Sequence, residues 1–290
     1  MKTRMTTKKK VIFSLIAVLL VVLVVWTAWG NTALQLNKYV ISSEKLPEEF
    51  SGYRIAHVSD FHNAEIGKDN ETLLTMLEET EPDIIAITGD IIDSYHTDTE
   101  IALQFVREAV KIAPCYYVTG NHEARILDSE YFAFEEMLVK AGVTVMHDSE
   151  VILKRDGASI SLTGIDDPAF AANYGGGVGL SMMSGGIRGL SATDGFYIVL
   201  SHRPEFFEQY VEADMDLVLC GHAHGGQFRL PFVGGLIAPN QGLFPKYDAG
   251  LYTENNTNMI VSRGIGNSIF PFRFNNRPEV ILIELQAVTQ

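Results

Sequence analysis

Cysteine is almost missing from the 290 residues: Cys115 and Cys220 are the only two. Each lies in an apolar run, "APCYYV" and "DLVLC", where it reads as a small buried hydrophobe. A disulfide framework is excluded as the basis of the fold, while a single bridge between the two stays open. Positive charge is scarce as well. Five of the 22 basic residues fall in the first ten, "MKTRMTTKKK", which leaves 17 against 36 acidic residues and a net charge of about −19 over the rest of the chain. Nucleic acid is not expected as a partner, because such binding rests on neutralising phosphates with lysine and arginine. Ordinary solubility accounts for most of this acidity, and bound cations for a further part. The sequence also lacks an internal repeat and a second long apolar run.

The one long run is "VIFSLIAVLLVVLVVWTAWG", residues 11–30, which carries no charge. About 20 such residues at 1.5 Å each cross roughly 30 Å of hydrocarbon. The run is longer than the core of a cleavable signal peptide, and "VVWTAWGNTA" offers only poor cleavage sites. The expectation is a basic cytoplasmic tail at 1–10 and an uncleaved transmembrane signal anchor at 11–30, with everything beyond lying outside the cell membrane. Residues 31–52, with the polar, proline-containing "SSEKLPEEF", read as a connector. Residues 53–290 are expected to form one folded domain; 47% hydrophobic and 20% charged residues are a globular composition.

Within that domain "YRIAHVS", "DIIAITGD" and "PCYYVTGN" read as strands and alternate with helical patterns in "NETLLTMLEETE", "DTEIALQFVREAVK" and "SEYFAFEEMLVKAG". That order predicts a largely parallel sheet whose strands end on one edge. The second half holds short strands such as "ASISLTGI", "FYIVLSH", "DLVLCGH" and "EVILIEL", with "PEFFEQYV" as its clearest helix. A second mixed sheet packed on the first, with helices outside, accommodates it. Residues 170–195, with eight glycines, are expected to be a long loop.

Polar residues gather where these strands end. Asp60 and His62 follow the first ("SDFH"), Asp90 and Asp93 the second ("GDIID"), and Asn121, His122 and Glu123 the third ("GNHE"). His202 follows a later strand ("LSH"), and His222 with His224 the next ("GHAHGG"). Ligands of open α/β sheets bind outside the carboxyl ends of strands, which is where all of these fall. The glycines around His222 and His224 allow close backbone approach to an ion. The other histidines, His57, His96 and His147, fit no such pattern and read as structural or surface residues.

In this order the five motifs resemble the calcineurin-like metallophosphoesterases over roughly residues 53–285. "LSHRPEFF", "GHAHGGQFRLPFVGGLIAPNQGLFPKYDAGLY" and "SRGIGNS" resemble their membrane-anchored bacterial branch, which includes diphosphatases acting on UDP-diacylglucosamine. The resemblance implies a four-layer α/β/β/α sandwich of two mixed sheets and a dinuclear phosphoesterase. One divalent metal would be held by Asp60, His62, Asp90 and His224, and the other by Asp90, Asn121, His202 and His222. Mn, Fe, Zn, Co or Ni suit this mixed N and O set, with manganese favoured. The ions would neutralise phosphate oxygens and make hydroxide at neutral pH. His122 is implied as the general acid, with Glu123 orienting it and Asp93 supporting a ligand. Arg203 is either a phosphate contact or a surface or capping residue. Expected substrates are phosphomonoesters, phosphodiesters or diphosphates, with lipid-linked or cell-envelope esters among the candidates. A non-catalytic binding scaffold on the same fold is the alternative. The apolar stretch at 228–245 reads as a hairpin over the core or as an apolar wall for a lipid-linked substrate.

Overall fold

Apolar alternation along short strands builds two six-stranded mixed sheets in the computed structural model, which describes residues 6–174, 195–267 and 270–288. A long helix, α1 (Thr7–Thr32), leads into the first sheet, whose order is β1 (Gln35–Ser43), β16 (Glu279–Ala287), β2 (Arg54–Val58), β3 (Ile84–Thr88), β4 (Cys115–Val118) and β5 (Thr144–Val145). Strands β2 to β5 run parallel, joined by crossover helices α2 (Glu71–Glu79), α3 (Thr99–Ile112) and α4 (Asp128–Ala141). The second sheet has the order β14 (Gly250–Glu254), β15 (Thr257–Val261), β9 (Leu217–Cys220), β8 (Tyr197–Leu200), β7 (Ala158–Gly164) and β6 (Ser149–Arg155). Its four inner strands are parallel, and both edge strands are antiparallel to their neighbours. Two small hairpins pair β10 (Arg229–Leu230) with β11 (Gly234–Gly235), and β12 (Ile237–Ala238) with β13 (Gly242–Leu243).

The central strands are apolar on both faces because both faces are covered. In β3, Ile85 and Ile87 meet Leu73 and Leu77 of α2 and Leu103 and Val106 of α3, while Ile84 and Ala86 face the second sheet. In β9, Leu217 and Leu219 point into the space between the sheets, and Val218 and Cys220 point outward to Phe207 and Tyr210 of helix α6 (Phe207–Glu212). The result is the expected four-layer α/β/β/α sandwich. Asp98 caps α3 by accepting the Glu100 N–H at 3.1 Å, and Gly142, with φ 102°, ends α4 in the left-handed region.

Three expectations change. The stretch read as a connector contains β1, which lies parallel to β16 over nine residue pairs, so the sheet begins at residue 35 and not at 53. The proline-containing "SSEKLPEEF" begins only at Ser42 and hides the strand "QLNKYVISS" before it. Helix α1 spans 7–32 and so runs past 11–30 at both ends. Residues 170–174 of the loop expected at 170–195 belong to helix α5 (Pro168–Tyr174), and its residues 175–194 lie outside the described residues.

The two cysteines are free and buried on different outer faces, Cys115 toward the helices of the first sheet and Cys220 toward α6. The open question of a bridge is therefore answered: both sheets separate them. His147, just beyond β5, joins the layers by meeting Asp166 at 2.9 Å, after β7, and Glu135 of α4 at 3.1 Å. A thiol reagent should leave the folded protein unmodified and titrate two thiols after unfolding; a bridge would leave none. Burial works against a charged His147, but Asp166 and Glu135 outweigh it and push its pKa up from 6.5 to about 9. The folded state binds this proton more tightly, so the contribution is complete below the unfolded value of 6.5 and is lost as pH rises through about 9. Denaturant titrations across that range should show the wild type losing its stability advantage over His147→Gln as pH rises; a gap that ignores pH would contradict the charged pair.

Candidate metal centre

Each of the five motifs occupies a turn just past the carboxyl end of a parallel strand, three from the first sheet and two from the second. Apolar residues between the polar ones pin the turns to the core. Phe61, between Asp60 and His62, is fully buried and stacks on Phe105 of α3 with ring centroids 4.8 Å apart. Ile91 and Ile92 follow Asp90 into the same cluster, and Ala223 between His222 and His224 is buried under the second sheet. Alternation along each turn therefore sends the polar side chains to the common edge.

The turns are stitched across the sheets. The Asp60 N–H donates to Gly89 O at 3.1 Å and the His62 N–H to Asp90 O at 3.0 Å. The Asp60 carboxylate accepts the His222 N–H at 3.1 Å, and Asp90 Oδ1 accepts the His122 N–H at 2.7 Å. Glycine makes the approach possible: a Cβ on Gly221 would collide with Ser59 Oγ and Asp60 Oδ2, and one on Gly120 with the Asp90 carboxylate. Asp60, His62, Asp90, His222 and His224 all have φ between 46° and 66°, a left-handed conformation that costs roughly 1–2 kcal/mol for each non-glycine residue.

Among the described residues three groups of donor atoms result. Asp60, His62, Asp90 and His224 form one, Asp90, His202 and His222 another, and His62, Asp93 and His122 a third, with the ligand atoms of each group within 4.8 Å of one another. Asp90 belongs to the first two; its Oδ2 lies 3.6 Å from His62 Nε2 and 3.2 Å from His202 Nε2. Asn121 is 4% exposed, and its Oδ1 is buried with no hydrogen-bond donor.

Donor chemistry tests whether a metal fits. His62 Nε2 and His224 Nε2 face each other at 3.2 Å, as do His202 Nε2 and His222 Nδ1. Two nitrogens about 2.1 Å from one ion, at tetrahedral or octahedral angles, stand roughly 3.0–3.4 Å apart. Burial lowers His62 to about 3 and holds His222 and His224 well below the ordinary range, so these rings are neutral and offer lone pairs. His202 donates Nδ1–H to Thr88 O at 2.8 Å, which turns Nε2 inward. Burial also acts against charge on His202, yet the Asp90 carboxylate pushes its pKa up to about 10, marking a place where the site favours a cation. Burial raises Asp60 to about 6, reinforced by Asp90 and opposed by His202. Buried carboxylates beside inward-facing nitrogen lone pairs and an unpartnered amide oxygen suit divalent metals, and these Asp and His residues are positioned to hold one.

The surroundings differ from expectation in three places. Glu123 is fully buried and uses its carboxylate to accept backbone N–H groups from Asp90 (3.0 Å), Ile91 (2.9 Å), Ile92 (3.3 Å) and Gly120 (2.7 Å), so it clamps two turns together. The carboxylate beside the His122 ring is Asp93, whose Oδ1 is 3.2 Å from Nδ1, with the Ser94 N–H 3.0 Å from the same atom. Arg203 is neither a surface nor a capping residue: it is buried, its guanidinium is gripped by Asp167 at Nε and at Nη2 (3.0 Å), and its Nη1 lies 3.0 Å from His222 Nε2. Sequence reasoning missed Asp167, and it missed Arg273, which is buried against the carbonyls of Gly266 and Arg263 with Nη2 3.4 Å from His224 Nδ1. A lone arginine between two phenylalanines carried no signal. His57 and His147 keep the structural places expected of them, His57 buried against Thr88 Oγ1 at 2.7 Å, and His96 is a surface residue 3.3 Å from Asp93. Burial, with Asp90, pushes the Glu123 carboxyl up to about 7, so it is charged above that. Glu123→Gln should cost about 2–3 kcal/mol in denaturant titrations run with chelator at a pH well above 7, because bonds from backbone N–H groups to a charged acceptor are the stronger kind; an unchanged midpoint would show the clamp to be dispensable.

Comparison with known proteins places this arrangement. Residues 53–226 match the family model of the calcineurin-like phosphoesterases. The uncharacterized metallophosphoesterase YkuE of Bacillus subtilis is 30% identical over 88% of this chain and 86% of its own length. A zebrafish transmembrane protein with a metallophosphoesterase domain is 31% identical over 85% of this chain and 56% of its own, and the Escherichia coli phosphodiesterase YaeI is 28% identical over 71% and 72%. Both the five strand-end turns and these relatives agree: the chain belongs to the calcineurin-like metallophosphoesterases, a family of phosphoester hydrolases.

Proposed function

We propose that the protein hydrolyses phosphoester bonds with two divalent cations, one held by Asp60, His62, Asp90 and His224 and the other by Asp90, Asn121, His202 and His222. The observation that carries this reading is Asp90, whose Oδ2 stands between His62 and His202 while Oδ1 is fixed by the His122 N–H. When bound, such ions neutralise nonbridging phosphate oxygens and lower the pKa of water. The mixed nitrogen and oxygen donors favour a first-row transition metal, and manganese is our choice.

His122 is the proton donor in this reading. Its ring is buried and meets the His62 ring edge-on at 4.5 Å. Burial lowers its pKa, Asp90 and Asp93 resist that, and Arg125, with Nη1 3.4 Å from Nε2, adds to it. Asp93 at Nδ1 steadies the ring, which leaves Nε2 to deliver a proton to the leaving oxygen. A depressed pKa makes the protonated ring a stronger acid but a rarer one at neutral pH, so donation is favoured as pH falls toward that pKa.

Helix α1 serves as the anchor in the same reading. It is 26 residues long and largely apolar, it has basic residues before it and in its first turn and Trp26 and Trp29 near its far end, and it would leave the N-terminus in the cytoplasm and the catalytic domain outside. An apolar cavity of about 300 Å³ beside His224, lined by Ile237, Ala238, Pro239 and Phe270, supports a substrate with an apolar part, such as a lipid-linked phosphoester.

The test uses the full chain in detergent, with elemental analysis and assays on p-nitrophenyl phosphate and bis-p-nitrophenyl phosphate with Mn²⁺. About two metals per chain are expected, with His122→Ala keeping them while turnover falls roughly 10²- to 10⁴-fold. Asp90→Asn should lose metal from both groups. A folded, metal-free and inactive wild type would leave only a binding scaffold.

A further inference from the structure

The end of α1 is not a loose tether. Asn31 donates from Nδ2 to Arg273 O at 2.9 Å and accepts the Arg273 N–H at 2.7 Å. Arg277 donates to Ala33 O and Leu34 O, and its guanidinium lies 4.8 Å over the Trp29 ring. The helix therefore enters the domain in a fixed direction. A groove of about 680 Å³ runs along it, with Leu20, Leu23, Val24 and Thr27 on one wall and Pro271 and Phe272 on the other. From Leu20 to the helix end at Thr32 is about 18 Å at 1.5 Å per residue. If α1 spans a bilayer, that wall of the domain stands beside the half of the helix nearest the domain.

The apolar surface continues away from the helix. Phe270 and Phe272 pack on Phe228 with centroids 5.6 and 5.5 Å apart, and Phe228 leads directly into the β10–β11 hairpin. That hairpin's tip holds Phe232, fully exposed, and Val233, more than half exposed. The neighbouring β12–β13 hairpin is joined to it by the Leu236 N–H to Phe228 O bond, and it presents Leu243 and Phe244, 71% and 63% exposed. On a chain of net charge −14, the segments 217–247 and 264–278 contain no acidic residue. Their basic residues are already engaged, Arg229 by Asp248, Lys246 by Glu208, Arg273 in the interior and Arg277 at the end of α1, so the tips themselves are apolar and uncharged. Exposed apolar tips without acids suit a bilayer surface, whereas the acidic remainder of the domain does not.

We propose that the two hairpins and the 270–272 turn form a second membrane contact, separate from α1, that dips into the leaflet α1 exits. This rests on reading α1 as a membrane span. The cavity beside His224 shares Phe270 and Ile237 with this surface, so docking turns the mouth of the metal centre toward the lipid headgroups.

Native Cys115 and Cys220 are buried, so an engineered surface cysteine can be labelled selectively. The full chain, as Phe232→Cys, Phe244→Cys, Val18→Cys or Val139→Cys, would carry an environment-sensitive fluorophore in dioleoylphosphatidylcholine vesicles with and without nitroxide lipids. Val139, exposed on α4, is the control away from the surface. Labels at 18, 232 and 244 should shift to the blue and lose intensity with nitroxide lipids, and the label at 139 should do neither. Quenching at 18 with positions 232 and 244 behaving like 139 would overturn the second contact and leave the span intact. A blue shift at 232 and 244 without quenching would mean that a second copy of the chain covers the surface, which also overturns it. No quenching at 18 would remove the span, and the inference with it.

Discussion

Three carboxylates, Asp60, Asp90 and Glu123, are withdrawn from water within one small region, and the rest of the centre is organised around their mutual repulsion. Burying even one ionised carboxylate is unfavourable without a hydrogen-bonding or charged partner. The fold answers in two ways. Glu123 is surrounded by backbone N–H groups, which fix it as a structural clamp. Asp60 and Asp90 receive too few such bonds to offset their charge; His62, His222 and His224 beside them are neutral with lone pairs turned inward, and His202 answers Asp90 by holding its own proton tightly. What completes that arrangement electrostatically is a cation, which these Asp and His residues are positioned to hold.

Holding those groups in place works against the backbone, since five of them adopt left-handed φ values that L-residues avoid. Such conformations persist only where the surroundings over-determine them. Here Phe61, Ile91, Ile92 and Ala223 supply the determination by burying the residue beside each strained one. Core and centre are thus alternate residues of the same short turns, and no boundary separates stability from chemistry in this region.

Much of this was legible in the sequence because the signals are local. A polar residue after an apolar run marks a strand end, and five such ends in one order name the edge where the centre forms. What stayed hidden depends on residues far apart in the chain. Strand β1 is recognisable mainly through its partner β16, and Arg273 owes its burial to a loop that closes over His224 and to Asn31, 242 positions away. The place expected for Glu123 beside His122 is taken by Asp93, since "GNHE" and "GDIID" say nothing of which carboxylate turns toward the imidazole. The fate of Arg203 likewise turned on Asp167, a residue in a different loop.

The place of β16 constrains how the protein is made. This last strand of the chain lies inside the first sheet, hydrogen-bonded to β1 on one side and β2 on the other. Strand β1 therefore has no lateral partner, and β2 has only β3, until residues 279–287 have been synthesised. The domain cannot mature progressively from its amino end as many chains do. Its earliest strands must wait with unpaired edges, and closure of the first sheet comes only when the whole polypeptide is present, a long-range step of the kind that slows folding.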